Sequence, residues 1–190
     1  MVTDSARLWV ISGPSGVGKG TVCSALLRRH PEVHVSISAT TRDPRPGEVD
    51  GRTYHFVGED EFDSLVEQGA MLEHAVVHGV ARYGTPRGPV MEALSRGQHV
   101  ILEIDLQGAR QVKRNMPEAT LVFLKPPSWE ELVSRLAGRG TEDAAARERR
   151  LATARLELAS LDEADHVVEN FEVEETVARL IDLMGLPQPH

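Results

Sequence analysis

A single cysteine, Cys23, leaves no internal disulfide possible, which excludes the disulfide-stapled secreted scaffolds and fits a reducing compartment. Long hydrophobic runs are missing as well: no stretch approaches the roughly 20 apolar residues of a membrane-spanning helix. Residues 1–7 lack a basic segment followed by an apolar one, so no signal peptide and a cytoplasmic location are expected. Excess positive charge is absent too. With 29 Asp and Glu against 21 Lys and Arg, the net charge of −8 argues against a non-specific nucleic-acid binder. Lysine is scarce, at positions 19, 113 and 125 alone, so almost every cation is a guanidinium. What is present is apolar material, 41% of 190 residues, enough for one core of ordinary domain size. The acidity is uneven: residues 154–190 carry nine acids and two arginines, a net of −7.

Strands alternate with helices along most of the chain. Short apolar runs at residues 8–12, 99–104 and 120–124 read as buried strands, and 166–168 as a further short one. Helical spacing marks 18–29, 106–116, 144–161 and 173–184. Ser128-Trp129-Glu130-Glu131 is a capping box that opens a helix to about Ala137. This rhythm predicts an α/β core with a mainly parallel sheet. Residues 34–85 interrupt it. Alternation over Val33–Thr41 predicts one strand with Val33, Val35, Ile37 and Ala39 on one face, and 54–57 and 71–77 read as strands around a helix near 59–68. The expected division is a core of 1–36, 86–134 and 154–190, an insertion at 37–85 and a polar, arginine-bearing segment at 135–153.

Gly13-Pro14-Ser15-Gly16-Val17-Gly18-Lys19-Gly20-Thr21 follows the first strand and opens the first helix. Glycines allow the backbone to wrap a phosphate with its N–H groups inward, and the helix N-terminus adds positive potential. Lys19 would neutralise oxygens that gain charge. The pattern G-x-x-x-x-G-K-[ST] is met except that Gly20 stands at the hydroxyl position and Thr21 comes one later. Either Thr21 serves the phosphates, or Mg²⁺ is held mainly by nucleotide oxygens and water. Such a loop identifies a triphosphate site and leaves the reaction open.

The acceptor must be read elsewhere. Ser36-Ile37-Ser38-Ala39-Thr40-Thr41-Arg42-Asp43-Pro44-Arg45-Pro46-Gly47-Glu48, Tyr54-His55-Phe56, Met71-Leu72-Glu73-His74-Ala75, Tyr83-Gly84-Thr85, Ile104-Asp105-Leu106-Gln107-Gly108 and Gly138-Arg139-Gly140-Thr141-Glu142 resemble, in order, the motifs of the guanylate kinases. The resemblance runs from about Leu8 to Ala178. It implies a P-loop nucleoside monophosphate kinase fold with an inserted GMP-binding subdomain and an arginine lid. It also implies transfer of the ATP γ-phosphate to GMP or dGMP with Mg²⁺. By that resemblance Arg42, Arg45, Tyr54 and Tyr83 meet the acceptor phosphate, a dianion well suited to guanidinium forks. Glu73 and Asp105 meet guanine N1–H and N2–H₂, and Ser38 and Thr85 meet O6. Arg135, Arg139 and Arg150 align with arginines that close over the triphosphate. Asn170 falls near the adenine. The stretch between Glu73 and Tyr83 is one residue longer than the family pattern and reads as a loop insertion. Glu103, where the family often has Asp, either helps place the magnesium hydration shell or is a strand-end surface acid. Two other readings have sequence features that weigh against them. A binding module of this fold typically has a degraded phosphate loop, and a kinase for another phosphorylated acceptor would not need the Ser38, Glu73 and Asp105 set.

Overall fold

The computed structural model describes residues 6–77, 81–137 and 144–188. The elements run β1 (Leu8–Ser12), α1 (Lys19–Arg29), β2 (His34–Val35), β3 (Ala39–Thr40), β4 (His55–Phe56), α2 (Glu59–Glu67) and β5 (Met71–Val77). They continue with β6 (Ala81–Pro86), α3 (Arg87–Ser95), β7 (Val100–Glu103), α4 (Leu106–Asn115), β8 (Thr120–Lys125), α5 (Trp129–Ala137), α6 (Ala144–Leu158), β9 (His166–Glu169) and α7 (Val173–Met184). Five strands form a parallel sheet in the order β2-β7-β1-β8-β9. Four form a mixed sheet in the order β4-β3-β6-β5.

The parallel sheet is covered on both faces, which is why its strands read as unbroken apolar runs. On β1, Trp9 and Ile11 pack with Val22 and Leu26 of α1 and Val177 and Ile181 of α7. Leu8 and Val10 face the other way, toward Val90 and Ala93 of α3 and Ala109 and Val112 of α4. Cys23 is buried on the α1 side, where desolvation pushes its thiol pKa far up and leaves a small apolar filler. Ser128 caps α5, its Oγ accepting from Glu131 N at 3.1 Å, while the Glu131 carboxylate turns to Arg135. Among the described residues no helix is long and apolar enough to cross a membrane.

The strand expected over Val33–Thr41 is two strands in two sheets. Ser36 N donates to Ile101 O (3.0 Å) and is the last hydrogen bond to the parallel sheet, while Ser38 O accepts from His55 N (2.9 Å) at the start of the small one. Alternating residues satisfy either sheet, so the crossing leaves no mark in the pattern. Helix α3 and strand β6 went unread, the helix because Gly88 and Pro89 sit in its first turn. The mixed sheet is drawn from residues 39–86. The arginine-bearing segment is the end of α5 and the first part of α6; Arg139 and the surrounding residues 138–143 lie outside the described residues.

Candidate active site

The Gly13–Thr21 loop after β1, Glu103 and Asp105 at the end of β7, and Asn170 after β9 stand at the C-terminal ends of parallel strands, while Arg42, Tyr54, Glu73, Tyr83 and Thr85 come from the region of the small sheet. After β1 the chain passes into α1 on one face, and after β7 into α4 on the other, so a crevice opens between their ends. That is where ligands bind in open α/β sheets.

The loop from Gly13 to Gly18 forms one wall. A Cβ on Gly13 (φ 141°) would lie 2.3 Å from Leu124 O, backbone against backbone, so the position admits glycine only. Gly18 (φ 102°) caps α1 in the left-handed region, and its Cβ would lie 2.7 Å from Asn170 Nδ2. Asn170 is 3% exposed, and both ends of its amide are engaged within the protein. Nδ2 donates to Val17 O (2.7 Å) and Oδ1 accepts from Thr176 Oγ1 (2.9 Å), tying the loop to the start of α7. Arg135 Nη1 donates to the same Val17 carbonyl (3.3 Å) and to Asn170 O (3.4 Å), which lays a guanidinium beside the loop. Lys19 Nζ donates to Gly13 O at 2.6 Å.

Gly20 and Thr21 are both exposed on the first turn of α1. A Cβ on Gly20 would be 3.4 Å from Glu103 Oε1, so a carboxylate faces the place where a hydroxyl residue is usual. Glu103 is exposed at the end of β7; its partial desolvation raises its pKa, and Lys19 opposes the rise.

The opposite wall belongs to the small sheet. Arg42 makes a bidentate pair with Glu48, Nη1 to Oε2 and Nη2 to Oε1 both at 2.9 Å, and its Nε donates to Tyr83 Oη at 3.1 Å. Its guanidinium also stands 5.5 Å from the Tyr54 ring centroid, and Tyr54 meets Tyr83 edge-on. Glu48 further accepts from Arg45 N (2.6 Å), closing the Pro-rich loop around the arginine pair. The Arg45 side chain is exposed. The Glu48 clamp was legible in principle, six residues after Arg42 in the same motif. Desolvation leads the upward shift of the Tyr54 pKa, and the charge of Glu103 adds to it. Glu103, whose carboxylate stands 3.4 Å from where a Gly20 Cβ would lie, thus interacts electrostatically with both Lys19 and Tyr54.

Deeper in, Glu73 and Thr85 are cross-strand partners on β5 and β6. Both are buried, and Thr85 Oγ1 donates to Glu73 Oε1 at 2.6 Å. Burial pushes the Glu73 pKa up to about 7, the charge of Asp105 adds to the rise, and the Thr85 bond resists it. Asp105 caps α4 by accepting from Gly108 N at 2.9 Å. Residues 71–77 and 81–86 pair through Val77↔Ala81 and keep the Glu73↔Thr85 register; residues 78–80 of the His78–Arg82 stretch read as carrying the insertion lie outside the described residues. Ser38 is half-buried in the crossover between the two sheets.

Glu157 was missed in the sequence. It is 7% exposed on α6 and shares an inward stripe with half-buried Arg150 and buried Ala154, at helical spacing. Burial raises its pKa to about 7; Lys19 and the Leu106 amide resist, and Asp105 adds to the rise. Two buried acids, Glu73 and Glu157, therefore both feel Asp105 at the start of α4. Among the described residues no three acids, histidines or cysteines form a group that could hold a metal.

The guanylate kinase family model matches residues 5–185 of the chain. Among curated relatives, the guanylate kinase of Leifsonia xyli is 58% identical over 178 residues, covering 94% of this chain and 70% of that protein. That of Thermobifida fusca is 58% identical over 181 residues, covering 95% and 92%. Among solved structures, a guanylate kinase from Anaplasma phagocytophilum superposes with a TM-score of 0.79 at 33% identity, covering 97% of this chain and 87% of that one.

Proposed function

That the chain belongs to the guanylate kinase family is the premise from which we propose how its residues divide the work. The enzyme moves the γ-phosphate of ATP to GMP, giving ADP and GDP. The functional division is a core of 1–36, 86–134 and 154–190, a GMP-binding insertion of 37–85 and a lid of 135–153.

Backbone N–H groups of Gly13–Thr21 and the N-terminus of α1 take the ATP phosphates, with Lys19 moving from Gly13 O to the β/γ oxygens. Arg135, Arg139 and Arg150 add positive charge and exclude water as the lid closes. Asn170 acts on the loop, holding Val17 O, and its neighbourhood borders the adenine. Arg42, Arg45, Tyr54 and Tyr83 take the GMP phosphate, and Glu48 aims Arg42. This phosphate is already an anionic nucleophile, so no general base is assigned. Catalysis comes from in-line positioning and electrostatics. Ser38 and Thr85 meet O6, Thr85 by turning its one hydroxyl proton from Glu73 Oε1 to the base, while Glu73 and Asp105 accept from N1–H and N2–H₂.

The donor set suits Mg²⁺ held mainly by nucleotide oxygens and water, because Glu103 supplies one hard carboxylate beside Lys19 and Gly20. When bound, Mg²⁺ would neutralise charge building on the β/γ oxygens. The site of action is the cytoplasm, and the acidic balance of the chain gives nucleic acid no role.

The observation that carries this reading is the buried Glu73–Thr85 pair beside Asp105. Adenine would turn a bare N1 acceptor toward that carboxylate, and an unmatched buried polar group supports discrimination of about 10⁴-fold. ADP release measured with GMP, dGMP, AMP, CMP and UMP tests it. Turnover with GMP far above AMP is expected; equal turnover of the two defeats the guanine-edge argument, and none with any acceptor points to a binding module.

A further inference from the structure

β5 is an edge strand of the small sheet, and α4 lies along it. Gly108, Gln111 and Asn115 stand at helical spacing on one face of α4. Asn115 Nδ2 donates to Leu72 O at 2.9 Å. Gln111 Nε2 donates to His74 O at 2.6 Å, and its Oε1 accepts from His74 N at 3.2 Å. These side-chain amides stand where a further strand would pair, and they hold the backbone on either side of Glu73.

Between them the Glu73 carboxylate comes against Gly108. A Cβ there would lie 2.5 Å from Oε2 and 3.0 Å from the carboxyl carbon. Glycine is the poorest helix former after proline, so helix formation does not account for it in the first turn of α4. Its φ is not in the left-handed region, so the backbone does not require it either. The space it leaves is the remaining reason.

We propose that this face of α4 determines acceptor specificity. Gly108 is a positioning residue that leaves a seat for the Glu73 carboxylate, and Gln111 and Asn115 fix the strand that carries it. Guanine then finds the Glu73 carboxylate, with Asp105 beside it, where N1–H and N2–H₂ point. The inference rests on the reading of Glu73 given above. Because the atom a methyl group would meet is the end of a side chain, Gly108→Ala swings Glu73 aside without disturbing the helix.

Steady-state kinetics on the full chain, with GMP and AMP varied at saturating ATP, test this. Gly108→Ala should raise KM for GMP about tenfold and lower the GMP-over-AMP preference similarly, with KM for ATP within about twofold. Added to Glu73→Gln it should cost less than about twofold more, since it acts through that carboxylate. Gln111→Ala, which introduces no clash, should raise KM for GMP about fivefold with the thermal midpoint followed alongside. An unchanged KM for GMP in either α4 variant, or effects of Gly108→Ala and Glu73→Gln that multiply, would overturn the proposal. If instead Glu73→Gln alone leaves GMP use intact, it is the reading of Glu73 that fails.

Discussion

The two walls of the cleft are built differently. The phosphate loop is backbone, held from behind by Leu124, Asn170 and the covered parallel sheet. The acceptor wall is side chains on short strands, with Arg42 oriented by Glu48 and Tyr83, and Glu73 by Thr85 and the space at Gly108. On the proposed reading, the difference follows from what each wall recognises. A phosphate is met by any well-placed N–H, whereas a guanine edge needs acceptors and donors in a set order. Backbone recognition therefore depends on conformations that few residues can adopt, and side-chain recognition on charge states that pH can alter.

The largest expected effect breaks the backbone wall. Gly13→Ala drives a methyl into Leu124 O, so kcat/KM should fall at least about 10³-fold whichever acceptor is used, with the thermal midpoint dropping as well. A variant that keeps full activity would show that the loop is not held as tightly as its packing implies.

Next is the proton. In the proposed role, Glu73, with its pKa pushed up to about 7, must lose its proton to accept from guanine. Below about pH 7, KM for GMP should rise toward tenfold per pH unit, while KM for ATP does not follow that group. In Glu73→Gln the remaining dependence should be that of the nucleotide phosphate. Parallel pH profiles for ATP and GMP would erase the contrast between the walls.

The smallest effect lies between them. Glu157 has its folded pKa raised to about 7 from an ordinary value near 4.5. The folded state holds a proton that the unfolded state releases, so this group's stabilisation is full below pH 4.5 and is lost as pH rises through 7. Glu157→Gln should therefore stabilise the protein by about 1–3 kcal/mol at pH 8 and change little at pH 4.5. Thermal melts at the two pH values check this. Equal shifts at both would mean that packing and not ionisation sets its contribution.

Much of this architecture was legible because local chemistry and tertiary role coincide. Leu8–Ser12 is apolar on both faces and sits in the middle of the sheet. Val173–Met184 has a clean helical stripe, and the helix spans those same residues. Where one pattern serves two environments, the pattern does not separate them. The alternation from Val33 to Thr41 fits a strand of either sheet, and the chain uses it for both. Glu48 lay inside a motif already singled out, but its hold on Arg42 is a distance, not a spacing. Resemblance puts Asn170 near the adenine; its amide is turned under the loop, donating to Val17 O and accepting from Thr176 Oγ1.

The sequence by itself determined the glycine-rich turn after β1, the α/β rhythm and the family, since turns, periodicity and motif order are local properties of the chain. Tertiary structure alone decided which charges share an environment. Glu73, Asp105 and Glu157 are separated in sequence yet close around the first turn of α4, and burial there changes how two of them hold protons. Desolvation depends on everything packed nearby, so no window of residues contains it. The same holds for Gly108, an ordinary helical glycine until β5 brings a carboxylate to within 2.5 Å of its missing side chain.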